Sequence, residues 1–229
     1  MGAERRRAFT GALHACLATL VLSSSGFAPA LGRTPALGRT PAQPDWGRLA
    51  REIAEETNRL RDDPASYVPY LEAWLPKFDG LVMERPGRAF LRTEEGAPAV
   101  EEAIAALRAA RPAGPLQWSG GLARAAGDHV RDQGPIGGTE HRGTDGSDPA
   151  RRMERYGQWR GALAENIAYG ENAARDVVLQ LLVDDGVPNR GHRDALLDPE
   201  WGTSGVACGR HRDYGQMCVM DYAMGYEER

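Results

Sequence analysis

Apolar positions first fall into a helical rhythm at Trp46. Trp46, Leu49, Ile53 and Leu60 recur at steps of three, four and seven, one face of a helix that Asp62-Asp63-Pro64 ends. A second helix is expected over 65–75, with Tyr67, Leu71, Trp74 and Leu75 on one side. Residues 76–97 mix Pro, Gly and scattered charge and read as loop. Ala99 to Ala110 is helical again, with Val100, Ile104 and Leu107 in phase. After a Pro- and Gly-rich break at 111–115, a helix is expected from about Gly121 to Gln133, with Leu122, Ala125, Ala126, His129 and Val130 sharing a face. The segment 134–148 is polar and Gly-rich, and Arg151 to Tyr156 reads as a short helix. Ala174 to Val183 is a further helix through Val177, Val178, Leu181 and Leu182. The chain ends in two apolar stretches, around Gly205–Cys208 and Met217–Met220, separated by the turn-rich 209–216. These read as a hairpin centred near Asp213. Helices first, then mixed short elements, then an antiparallel pair make an α+β layered domain.

The first thirty residues follow a different rule. Arg5, Arg6 and Arg7 precede a mostly apolar stretch from Gly11 to Leu22, and Ala28-Pro29-Ala30 follows. Positive charge, apolar core and small residues at −3 and −1 are the parts of a secretory signal peptide, with cleavage expected after Ala30. The stretch is too short to span a bilayer. Arg6-Arg7-Ala8-Phe9 also resembles a twin-arginine signal, and an ordinary secretory signal with an arginine cluster stays open beside it. The duplicated hexapeptide LGRTPA at 31–36 and 37–42 is a linker pattern. The expected organisation is signal peptide 1–30, linker 31–45, helical extension 46–115 and main domain 116–229.

Composition narrows the function classes. Of 229 residues, 41% are hydrophobic and 26% charged, the balance of a globular chain. Net charge is −4, and loss of Glu4 and Arg5 to Arg7 with the leader takes it to −6. Such a chain has no charge-based attraction for nucleic acid or anionic lipid. No segment after the leader approaches transmembrane length. Of three cysteines, Cys16 leaves with the leader. The hairpin sets Cys208 and Cys218 opposite each other, and an exported protein meets oxidising conditions, so a disulfide is expected; two buried thiols are the alternative.

Three strings carry the chemistry. They are the loop around His141, Ala164-Glu165-Asn166-Ile167-Ala168-Tyr169-Gly170, and Asn189-Arg190-Gly191-His192-Arg193-Asp194-Ala195-Leu196-Leu197. With the closing Gly205-Val206-Ala207 they resemble the CAP superfamily of cysteine-rich secretory, antigen 5 and pathogenesis-related proteins, in particular its bacterial SCP-like branch. The resemblance covers roughly 116–226. It implies a three-layer α-β-α sandwich with a central antiparallel sheet, preceded here by the helical extension. It also implies an open cleft lined by two His and two acids. By motif position these are His141, Glu165, Asp184 and His192, with Asp185 as the alternative for the second acid.

Two imidazoles and two carboxylates are also a donor set that suits Zn²⁺, so the expected metal ligands are His141, Glu165, Asp184 and His192. His129, on an apolar helix face, reads as a core histidine, and His211, in the hairpin turn, as exposed. The chain has no HExxH, GxSxG or phosphate-binding loop. The expected role is a secreted or periplasmic, non-enzymatic module that binds an extracellular lipid, glycan or protein. A metal-assisted hydrolase using the same cleft is the alternative, and a purely structural polar network is a third.

Overall fold

A computed structural model describes residues 44–229, together with the backbone of two dipeptide strands, Arg7–Ala8 and Thr19–Leu20. The leader, its cleavage site after Ala30, the arginine motif, Cys16 and nearly all of the linker lie outside the described residues.

Helix α1 (Trp46–Asp62) opens on Asp45, whose carboxylate accepts the Arg48 N–H at 3.0 Å, and closes before Pro64. Its buried stripe, Leu49, Ile53 and Leu60, is the one the spacing marks. The single helix expected over 65–75 is instead three short turns. A 3₁₀ turn (Pro64–Tyr67), α2 (Val68–Glu72) and a second 3₁₀ turn (Leu75–Lys77) each have a proline in their first two positions. Proline lacks the N–H that would continue the preceding turn, so each one restarts the helix. The stretch read as loop contains three two-residue strands, β1 (Phe78–Asp79), β2 (Val82–Met83) and β3 (Leu91–Arg92), paired antiparallel. Helix α3 (Ala97–Ala109) buries Val100, Ala103, Ile104 and Leu107.

The central sheet is built from β4 (Gln117–Trp118), β5 (Gly157–Tyr169), β6 (Thr203–His211) and β7 (Gly215–Glu228), with β7 between β5 and β6. The three long strands are antiparallel, with β5 and β6 the outer two. Arg7–Ala8 lies beside β5, and Thr19–Leu20 beside β3. Alternation along β5 and β7 sends successive side chains to opposite faces. Ala162, Ala168, Met220 and Tyr222 pack with α1, α3, α6 (Ala174–Val183) and α7 (Gly191–Leu197). Leu163, Ile167, Tyr169, Met217 and Val219 pack on the other face with α4 (Gly120–Ile136) and α5 (Pro149–Glu154). The result is the expected α-β-α sandwich.

Helix α4 runs three residues past its expected end. Gly137, in the left-handed conformation at φ 75°, ends it by turning its N–H back to Gln133 and Gly134. Its close seat on the sheet depends on Gly205, where a β-carbon would lie 2.1 Å from the Ala123 backbone nitrogen. The hairpin register pairs Cys208 directly with Cys218, and the two are joined by a disulfide.

Candidate functional site

Strand β5 places an acid and an amide where the chemistry collects. Glu165 points to the α4–α5 face, and its side chain is 1% exposed. Its two carboxylate oxygens have different partners. Oε1 meets His141 Nδ1 at 2.8 Å, and Oε2 accepts from the Arg152 guanidinium at 2.6 Å. Arg152 is itself buried and also donates to the carbonyls of His141 and Ser147. It therefore fixes the loop that carries His141 as well as the acid that orients its ring. Burial pushes the Glu165 carboxyl up, but the His141 hydrogen bond and the Arg152 charge outweigh it and hold it below the ordinary carboxylate range.

The next residue, Asn166, points to the other face and donates to the His192 carbonyl at 3.0 Å. His192 opens α7, and its Nδ1 lies 2.5 Å from Asp184 Oδ1. Asp184 Oδ2 accepts the backbone N–H of His192 at 2.9 Å, so this carboxylate both caps the helix and orients the ring. Asp184 ends α6 in the left-handed region at φ 54°, and Arg190 adopts φ 50° just before α7. Two non-glycine residues in that region are costly and persist only where surroundings hold them. Here Arg190 donates to the Asp184 and Val187 carbonyls, and Arg193 to those of Leu182 and Val183. The alternative acid, Asp185, accepts the Glu94 and Glu95 N–H groups of the extension. Asp184 is therefore the partner of His192.

The four residues singled out by motif thus stand as two dyads, His141–Glu165 and His192–Asp184, served by neighbouring positions of one strand. In each, Nδ1 faces a buried carboxylate. Among the described residues no three His, Cys, Asp or Glu side chains are grouped to hold a metal ion.

Sequence reasoning missed two members of this cluster. One is Arg152. The other is Asp221, which lies directly across from Glu165 in the β5–β7 register and is fully buried. Neither of its oxygens meets a donor among the described residues. Burial, then the Glu165 charge, push its carboxyl well above the ordinary value, with Arg152 opposing. The shift favours the protonated form of Asp221. An Asp within the apolar run Met217–Met220 and Tyr222–Met224 was the available signal.

His129 is the core residue expected, fully buried with Nε2 on the Glu140 carbonyl at 2.8 Å, and burial lowers its pKa. His211 corrects its expectation. It is 1% exposed, at the end of β6 rather than in solvent. Its Nε2 lies 3.1 Å from the Gly138 carbonyl, its Nδ1 accepts from the backbone of Asp213 and Tyr214, and its ring packs on Tyr169.

The profile of the cysteine-rich secretory protein family, CAP, matches residues 101–222, slightly over half of the chain. The chain belongs to this family. Two solved structures are also similar. One is an extracellular protein containing an SCP domain from Bacillus anthracis str. Ames, 19% identical, with 54% of this chain and 38% of that chain covered and a TM-score of 0.40. The other is an outer surface protein from Borrelia burgdorferi, 19% identical, with 58% and 90% covered and a TM-score of 0.42. The match thus spans less than half the length of the Bacillus protein. No curated protein matches the chain. Within the CAP match lie α4 to α7, the disulfide, both dyads and Asp221. The Pro- and Arg-containing hairpins of β1 to β3 lie ahead of it.

Proposed function

We propose that this CAP protein is exported and acts as a non-enzymatic binding module, holding an extracellular or periplasmic ligand (lipid, glycan or protein) at the edge of β5. The observation that carries this reading is the pairing itself. Each imidazole has its Nδ1 committed to a buried carboxylate, which leaves Nε2 of each ring as the outward group. Neither ring is bonded to a hydroxyl or thiol among the described residues, so neither dyad has a nucleophile as its third member. Export is supported by the leader pattern and by the Cys208–Cys218 bridge.

The four side chains as arranged do not fit one four-ligand zinc site, because each carboxylate is turned onto its own imidazole. What the pairing offers a metal is Nε2 of His141 and of His192, with the carboxylates fixing the tautomers. Calorimetry with zinc on the mature chain tests the site. Zinc uptake is expected to vanish in His141→Ala and in His192→Ala but to survive in His129→Ala. No turnover is expected on peptide, ester or glycan panels. Zinc-dependent turnover lost in both variants would replace the binding role by hydrolysis.

A further inference from the structure

His192 takes its place from the loop 184–190 between α6 and α7. Both ends of that loop, Asp184 and Arg190, stand in the left-handed region without being glycine. Arg190 lends α7 no side-chain cap, so Asp184 supplies both the cap and the Nδ1 partner of the ring. Such conformations persist only where neighbours impose them, and a loop that relaxed at either end would carry Asp184 away from His192.

The extension supplies those neighbours. Glu95 Oε1 accepts the Gly186 N–H at 2.8 Å. The same carboxylate takes the Arg190 guanidinium as a fork, at 2.6 and 2.7 Å. Glu102, on α3, accepts Arg190 Nη2 at 2.6 Å and Arg193 Nη1 at 2.8 Å. The Glu94 and Glu95 N–H groups donate to Asp185, the residue after Asp184. The Arg190 and Arg193 side chains are only 11% and 5% exposed, so each needs a counter-charge. Among the described residues, Glu95 and Glu102 are the acids paired with them. The Arg190 bond, then that of Arg193, holds the Glu102 carboxyl down at about 2. The Arg190 bond likewise holds Glu95 below its ordinary value. Arg190 Nη1, which Glu95 engages, also donates to the Asp184 carbonyl at 2.8 Å. One guanidinium thus joins the extension to the backbone of the acid that orients His192.

We propose that Glu95 and Glu102 are positioning residues for His192, acting through Arg190, so that this half of the site is complete only with the extension in place. The proposal rests on the reading of the two dyads as the site. His141 is the internal reference, because among the described residues neither Glu165 nor Arg152 is bonded to the extension. Three variants of the mature chain are compared with wild type by the nitrogen spectrum of their histidines, at a pH where the rings are neutral. Glu95→Gln combined with Glu102→Gln removes both charges. Arg190→Lys keeps the charge and loses the planar fork. Glu56→Gln breaks a buried ion pair between α1 and Arg175, away from the loop, and serves as the control for general loosening. In the first two, the ratio of Nδ1–H to Nε2–H tautomer of His192 should fall at least about tenfold, as for the loss of one hydrogen bond to a charged group. The His141 ratio should hold. Glu56→Gln should lower Tm and leave both ratios in place. An unchanged His192 ratio in both loop variants, an equal fall at His141, or an equal fall at His192 in Glu56→Gln would overturn the proposal. Wild-type protein whose His192 lacks a dominant Nδ1–H tautomer would remove the dyad itself, and the proposal with it. A wild-type ring in that tautomer with unmoved variants would remove only the role of the extension.

Discussion

Asp221 is the residue whose proton most directly couples the site to stability. Its folded pKa stands above the unfolded value, so the favourable contribution of its neutral form is complete below about pH 4. That contribution is lost as pH rises toward the folded pKa. Glu165 acts in the opposite sense. Its folded pKa is lowered, so its contribution is present above about pH 4.3 and lost as acid protonates it. Asn has the shape of a neutral Asp and carries no charge to desolvate. Asp221→Asn is therefore expected to gain at least about 1 kcal/mol at pH 8, a rise of roughly 2–4 °C in Tm, and to gain little at pH 4. Thermal unfolding at both pH values measures this, and a loss at pH 8 would mean that Asp221 is ionised in the fold. Legibility at this scale followed motif and polarity. His141, Glu165, Asp184 and His192 were visible because their neighbours carry the family strings. Arg152 and Asp221 lie outside those strings, and only the β5–β7 register and the α5 position bring them to Glu165. His211 was misread because polar turn residues surround it in sequence, whereas Tyr169, which covers it, is 42 positions away.

Most helices and the closing hairpin announced themselves by their apolar pattern, whereas the 13-residue strand β5 and the two-residue strands did not. Helix α6 begins and ends where its apolar spacing says, and the hairpin centred near Asp213 set the two cysteines opposite each other. The strands β1 to β3 are two residues each, too short for an alternation to register. The prolines at 64, 69 and 76 divided a helix that its apolar positions alone would have continued. Two substitutions test how elements are held. Cys208→Ser with Cys218→Ser opens a short loop and is expected to cost about 2–3 kcal/mol in urea unfolding. Gly205→Ala drives a methyl into the α4 backbone and is expected to cost about 2–3 kcal/mol, although the residue makes no side-chain contact. Wild-type stability for Gly205→Ala would show that α4 is free to shift on the sheet.

At the scale of the molecule, the extension is part of the same core as the CAP match. Leu49, Ile53, Leu60, Val100 and Leu107 join Val177, Leu182 and Met220 in one apolar cluster. Arg61, fully buried in α1, donates to the carbonyls of Gly114, Leu196 and Asp198, tying α1 to the segment after α7. Arg190 and Arg193 reach Glu95 and Glu102 of the extension from the start of α7, on either side of His192. The sequence break at 111–115 thus separates stretches of chain rather than bodies. Among the described residues no helix is long and apolar enough to cross a membrane. Export is therefore tested at the N-terminus of recovered extracellular or periplasmic protein, where mass spectrometry should find Leu31 first. Replacing Arg6 and Arg7 by Lys should stop export only if the twin-arginine route is used.

The central claim is that two carboxylates orient two imidazoles with Nε2 outward, and the nitrogen spectrum of the four histidines of the mature chain tests it. At a pH where the rings are neutral, His141 and His192 should each show a protonated Nδ1 and a bare Nε2. His129 and His211 should show the reverse, because their Nε2 atoms face the Glu140 and Gly138 carbonyls. Zinc should then move the Nε2 signals of His141 and His192 together and leave His129 and His211 in place. A protonated Nε2 on either site histidine, or a zinc response at only one of them, would contradict the account.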